Sequence, residues 1–177
     1  LIQATKSSCG PLLGMAPQHF RKPGIGMYLR RDWAIGCITF NQSVIDYLRD
    51  SPSIQTVVLS SPFSVYLDTQ HVEHLTQAGN LYISSPAGVD AAVAGLRRTV
   101  DAIHQLGRKV VVVAPPPSQD FDIGGCLERQ LSGAVAFGGQ VGCTIDLATY
   151  QQRRADVLEF LNLIAQVDNV SVIRFEP

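Results

Sequence analysis

The sequence predicts an α/β domain: three layers, α/β/α, around a flavodoxin-like parallel sheet. Three observations carry this. Strand-like and helix-like stretches alternate along the chain, the pattern of βαβ crossovers. Two strands, TVVLS from Thr56 and KVVVV from Lys109, are apolar over several consecutive residues, as strands buried on both faces are. With 177 residues, 46% hydrophobic and 16% charged, the chain can bury a substantial core. A single domain over 1–177 is therefore expected.

Taken in order, Leu1 to Thr5 reads as a short strand. Residues 10–36 lack periodicity, and Pro11, Pro17, Pro23 and several glycines mark them as loop. In NQSVIDYLRD, Val44, Ile45 and Leu48 fall at helical spacing, with Asn41 either the N-cap or an amide lining a site. IQTVVLSS is a strand. Residues 62–85 are mixed and leave room for one short strand and a surface excursion.

PAGVDAAVAGLRRTVDAIHQLG is the clearest helix, with Ala92, Val93, Leu96, Val100 and Ile103 on one stripe and Gly107 just past its end. RKVVVVAPPP is the clearest strand, stopped by Pro115. Residues 118–143 form a second excursion. One long helix is expected from Asp146 to Val167, and NVSVIRF closes the chain as a strand. Right-handed crossovers gather the loops TKSSC, LSSPF, APPPSQD and RFEP at one sheet edge, where an active site would lie.

The formal net charge of -1 excludes a global basic field for nucleic acid. The basic pairs Arg21-Lys22, Arg30-Arg31, Arg97-Arg98 and Arg153-Arg154 read as solvated faces. No run reaches the roughly 18 apolar residues that span a bilayer. No leader precedes Leu1, and the abrupt start suggests a chain cut from a longer precursor.

The four cysteines, Cys9, Cys37, Cys126 and Cys143, form no CxxC and have poor spacing for zinc. Pairing sequence neighbours, Cys9 with Cys37 and Cys126 with Cys143, staples two Gly- and Pro-rich loops. The other reading is four buried thiols of a cytosolic protein. Disulfides are favoured, and with them an oxidising compartment.

No GxSxG elbow, GDS, GxGxxG or Walker loop occurs. Asp50-Ser51 reads as a helix end, and Gly138, Gly139 and Gly142 as a flexible loop. Asp68 with His71 and Asp101 with His104 have the spacing of a base and its orienting carboxylate. Asp68 and His71 stand closer to the active edge. His71 and His74 lack an obvious third ligand, so no metal is expected, and no cofactor either. Ser7, Ser8, Ser60 and Ser61 lie at strand ends, where they can cap turns or donate to an oxyanion.

TKSSCGPL, CITFNQSVIDYL, TVVLSS and KVVVVAPPPSQDFDIGGCLERQ, in that order, resemble the SGNH-type (GDSL-like) domain fused to membrane acyltransferases of family three. Cys37, Phe40 and Asn41 match the family's helix opening, and Cys126, Leu127 and Arg129 its cysteine-leucine-x-arginine. The resemblance implies an SGNH hydrolase fold and serine acyl transfer that O-acetylates cell-envelope or exported polysaccharide. The membrane acyltransferase domain of the parent protein would be a partner, and the domain would face the periplasm or cell exterior. Ser8, Asn41, Ser60 and Ser61 are then the candidates for lining the oxyanion pocket.

The sequence departs from the family in two places. The family's nucleophile block, glycine-aspartate-serine-histidine, would precede Leu1, and its aspartate-x-x-histidine base would follow Pro177. The first sheet strand and both catalytic blocks are thus expected outside the chain. Asp68 and His71 do not fill that gap, because their place in the strand order is wrong. A second reading is a non-catalytic extracytoplasmic domain of the same fold that binds glycan or a partner through Phe63, Tyr66 and the basic pairs. A third is an unrelated flavodoxin-like ligand-binding domain.

Overall fold

The structure is a computed structural model that describes residues 1–20, 28–118, 121–133 and 142–175. The Arg21-Lys22 pair and Gly138-Gly139 lie outside the described residues. The chain divides into two compact units: Leu1–Pro115 with Asp156–Arg174, and Pro116–Ala155 with Phe175–Pro177.

The first unit contains β1 (Met15–His19), α1 (Arg31–Arg49), β2 (Thr56–Ser60), α2 (Ser64–Leu67), β3 (Val72–Ala78), β4 (Leu81–Pro86), α3 (Val89–Gln105) and β5 (Lys109–Val113). The second holds α4 (Ile123–Ser132) and α5 (Leu147–Arg153). The chain then returns to the first unit through α6 (Ala155–Ile164) and β6 (Val170–Ile173).

The architecture is mixed α/β with a parallel sheet, the class the sequence predicts. Strands β2, β5 and β6 run parallel in that order, with Val57, Val110 and Val170 in register. Leu59, Val110 and Val112 are buried, and Val57, Val170 and Val172 pack on the same core. That core also takes Ile45 and Leu48 of α1, Leu96, Val100 and Ile103 of α3, and Val157, Phe160, Leu161 and Ile164 of α6.

The valine runs predicted burial on both faces, and here the structure differs. Val58 is 61% exposed and Ile173 50%, both on the face opposite the core. Topology supplies the reason. Both crossovers, β2 to β5 and β5 to β6, advance in one direction, so right-handed connections put their helices on one face.

The loop expected over 10–36 contains β1 and the start of α1. Pro17 fits β1 because β1 is the edge of a second sheet, antiparallel and ordered β1-β3-β4. Residues 62–85 hold α2 and the β3-β4 hairpin rather than one strand. Helix α1 starts ten residues before Asn41, so Asn41 is not an N-cap. It lies on the buried stripe Ala34, Cys37, Ile38, Asn41, Ile45 and Leu48. Leu1 to Thr5 is exposed and belongs to no strand.

α3 and β5 stand where the sequence puts them. Gly107, with φ 73°, takes the left-handed conformation that ends α3.

In the second unit, Asp122 caps α4 by accepting from the Gly125 N–H, and Asp146 caps α5 through the Thr149 N–H. Arg154 donates to the Ser118 hydroxyl. The helix expected from Asp146 to Val167 is two helices, α5 and α6, with the break at the boundary between units. Among the described residues no helix is long and apolar enough to cross a membrane.

Candidate functional site

The first unit builds its site around the loop from Lys6 to Gly14. Lys6 O accepts from the Cys9 N–H at 3.0 Å, closing a turn with Ser8 in the left-handed region at φ 59°. Cys9 is disulfide-bonded to Cys37 in the middle of α1. Beyond the turn, the backbone groups from Gly10 to Leu13 are held from three helices.

The Gly10 N–H donates to the Tyr66 hydroxyl of α2 at 2.9 Å, and that hydroxyl lies 3.3 Å from Gly10 O as its donor. The Asn41 Nδ2 of α1 donates to Gly10 O at 2.9 Å and to Leu12 O at 3.3 Å. The Thr99 hydroxyl of α3 donates to Pro11 O at 2.7 Å and accepts from the Leu13 N–H at 2.8 Å. The Arg98 Nε donates to Leu13 O at 3.1 Å. A loop whose backbone polar groups are met this fully is rigid, and its tip, Ser7 and Ser8, stays exposed.

Thr99 is buried, so a Thr99→Val variant leaves the Leu13 N–H and Pro11 O without their partner. Its expected cost is about 1–3 kcal/mol by urea denaturation. An unchanged midpoint would mean that water replaces the hydroxyl.

Gly10 must be glycine because of its neighbours. A Cβ there would sit 2.7 Å from Cε2 of Tyr66 and 3.1 Å from the Ser61 hydroxyl. The second contact fixes where the loop lies. Ser61 follows the last residue of β2, so the loop rests at the carboxyl end of the parallel sheet, the edge where α/β sheets bind ligands. TKSSC and LSSPF thus meet as the sequence predicts. The APPPSQD and RFEP segments run out of the first unit, and their residues 119, 120, 176 and 177 lie outside the described set.

The candidate residues divide accordingly. Asn41 bonds Gly10 O, and the Ser61 hydroxyl lies where a Cβ on Gly10 would point. Ser8 is at the tip of the same loop, and Ser60 is exposed at the end of β2. Asn41 is buried with both amide hydrogens directed at carbonyls, so it holds the loop. Sequence reasoning missed Tyr66 and Thr99 as loop holders. Tyr66 is buried, and burial pushes its pKa well above 10, with the hydrogen bond to Gly10 pulling the other way, so it stays a neutral phenol.

Beneath Tyr66 lies His74, also fully buried, in β3. Its Nε2 is 2.7 Å from Tyr66 O, which fixes the proton on Nε2, and its Nδ1 has no partner. Burial lowers the His74 pKa below 6.5, against the opposing pull of the Tyr66 carbonyl. Burial is also the main cause that lowers the His19 pKa, with Asp68 opposing it and His71 adding to it. The unfolded chain therefore takes up protons near 6.5 that the folded chain refuses. Their contribution to stability is complete above that pH and declines below it. The melting temperature is expected to fall between about pH 7.5 and pH 5.5, and a flat profile would contradict the buried neutral imidazole.

Asp68 and His71 are brought together. His71 Nδ1 lies 3.0 and 3.1 Å from the two carboxylate oxygens, with His71 exposed and Asp68 half-buried. Asp68 Oδ1 also accepts from the Gln70 and His71 N–H groups, so it closes a turn at the start of β3. Desolvation raises the Asp68 pKa, but these bonds and the imidazole outweigh it and hold the carboxyl below 3.8. Among the described residues, no histidine bonds Ser8, Ser60 or Ser61, and Asp101 makes no hydrogen bond to His104. No cluster of three or more metal-ligating side chains occurs among the described residues.

Cys126 and Cys143 form the second disulfide, within the second unit. Both sequence-neighbour pairings are thus made, and they fit an extracytoplasmic domain. The whole chain, residues 1–177, matches the family described as "SGNH domain (fused to AT3 domains)". No curated protein and no solved structure matches.

Proposed function

The chain belongs to the family of SGNH domains fused to AT3 domains, and from that premise we propose that it serves acetyl transfer to a cell-envelope or exported polysaccharide. The family makes this an acyltransferase- or esterase-type domain with a membrane acyltransferase domain as its partner in the parent protein. The proposal adds the acetyl group, the polysaccharide acceptor and a periplasmic or extracellular location.

The observation that carries the reading is the Gly10 loop. It is rigid, stands at the carboxyl end of β2, and has Ser61 against it and Ser8 at its tip. Rigid donors at such an edge can hold the oxyanion of a tetrahedral intermediate without reorganising. Ser8, Ser60 and Ser61 are assigned to that task, and Asn41, Tyr66 and Thr99 to positioning. A hydroxyl attacks poorly without a base in reach, so these serines stabilise charge, and the attacking serine and its histidine come from outside the 177 residues. The acetyl group leaves its donor for that serine, whose proton the histidine takes and hands to the departing donor group; the acetyl then moves to a sugar hydroxyl, whose proton the histidine takes and returns to the serine.

The test is release of p-nitrophenol from p-nitrophenyl acetate by the 177-residue chain with both disulfides intact. The expected rate equals the buffer background. Serine-dependent turnover would place the nucleophile within the chain, with Ser8 and Ser51 the first to substitute.

A further inference from the structure

The parallel sheet has one bare face, and that face runs up to the site. Register sets Val58 beside Val111, and Val113 beside Ile173, opposite the core. Val111 and Val113 are half-buried, and Val58 and Ile173 are the exposed ends of the two rows. Single exposed valines are ordinary, but four aliphatic side chains in adjacent rows form a patch. All-parallel sheets are covered on both faces, so this is a surface built to be covered.

Its size selects the cover. Three strands about 4.8 Å apart are roughly 10 Å wide, and a five-residue strand such as β2 or β5 is about 17 Å long. One α-helix is about 10–12 Å across, and about eleven residues of it span 17 Å. A second copy of this chain fits less well. A stable dimer buries about 800 Å² per partner, far more than four partly covered aliphatic side chains supply.

Handedness selects its direction. The crossovers from β2 to β5 and from β5 to β6 both advance away from β2, and both lay their helices on the core face. A right-handed connection reaches the bare face only by running back from β6 toward β2. β6 is the last strand in the chain order, and Ile173 at its end belongs to the patch. A chain leaving β6 thus meets the bare face at the carboxyl edge of the sheet. A helix that then runs antiparallel to the strands brings its carboxyl end toward Lys109, which is exposed at the amino-terminal end of the same face. A cation there suits the helix dipole.

We infer that the bare face seats one amphipathic helix of the parent protein, from the segment that follows Pro177. Its aliphatic stripe lies over Val58, Val111, Val113 and Ile173. The inference rests on the acyl-transfer reading for what the segment carries, the histidine that reading places outside the 177 residues. Ser60 stands in the Val113 row at the carboxyl end of β2, so a helix docked here fixes the approach of that histidine to the strand-end serines.

The test is photo-cross-linking in the AT3-fused protein, with p-benzoylphenylalanine placed at Val58 or at Ile173 and the captured peptide identified by mass spectrometry. Both positions are expected to capture a peptide from beyond Pro177. The same probe at Leu81, which is 69% exposed on β4 of the other sheet, is expected not to. Val58→Asp is expected to cut the yield from position 173 about tenfold, since a carboxylate cannot be buried there unpaired. Val58 is 61% exposed, so the same substitution is expected to move the melting temperature of the 177-residue chain by less than about 2 °C. Capture of a second copy, of the AT3 domain or of a segment preceding Leu1 would overturn the assigned occupant. No capture at either position, or equal capture from Leu81, would overturn the docking face. The readout is proximity and needs no turnover. Capture without acetyl transfer would therefore fail the acyl-transfer reading alone, and transfer without capture would fail this inference alone.

Discussion

Breaking the Cys9–Cys37 bond, through the paired Cys9→Ser and Cys37→Ser substitutions, is expected to lower the melting temperature by on the order of 10 °C. The bond closes 28 residues of sequence, and on the chain-entropy model a closure of that size contributes roughly 3–4 kcal/mol. Inside the closure lie β1 and the Gly10 loop, and Cys37 and its neighbours Ala34 and Ile38 form a small core with Ala16 and Leu75. The loss therefore falls on the elements that present Ser8. Scanning calorimetry of the oxidised double variant checks this. A shift below about 2 °C would mean that the three helices hold the loop without the disulfide. Cys126–Cys143 closes a loop in the other unit, and its removal is expected to leave protection of the Gly10 N–H from exchange unchanged.

Gly10→Ala is the second large effect, expected to cost about 1–3 kcal/mol or slightly more. The methyl group would stand 2.7 Å from the Tyr66 ring. That ring is 1% exposed and is fixed at its hydroxyl by Gly10 and at its backbone carbonyl by His74, so it has little freedom to yield. The clash is distinguishable from a general glycine effect by a double-mutant cycle. In a Tyr66→Leu background, itself destabilised, Gly10→Ala is expected to cost much less. An equal cost in both backgrounds would trace it to backbone conformation and remove Tyr66 from the account.

Apolar periodicity made the parallel sheet legible. The runs at Val57 and Val110 and the stripe of α3 depend on local patterning that tertiary contacts then reinforce. The antiparallel sheet was not legible, since β1 carries a proline that an edge strand tolerates and β4 is largely exposed. The first ten residues of α1 were readable in principle. Ala34, Cys37, Ile38 and Asn41 continue the spacing of Ile45 and Leu48, but Gly36 and the nearby prolines read as loop. The same error made Asn41 a cap, although a polar residue on an apolar stripe points to a buried hydrogen bond. The Cys9–Cys37 closure was identified from sequence. Tyr66, Thr99 and His74 were not, because their partners are backbone atoms distant in the chain, and no local pattern encodes those contacts.

The central claim is that the strand-end serines stabilise charge while the Asp68–His71 pair closes a turn. The most direct measurement is the acetyl-transfer rate of the AT3-fused protein carrying Ser61→Ala, Ser8→Ala or His71→Gln. Each serine variant is expected to lower kcat by about tenfold or more, as loss of an oxyanion donor does, with the chain still folded. His71→Gln is expected to leave kcat and its pH profile unchanged. Loss of turnover in His71→Gln, with both serine variants at full activity, would contradict the account and make Asp68–His71 the catalytic pair.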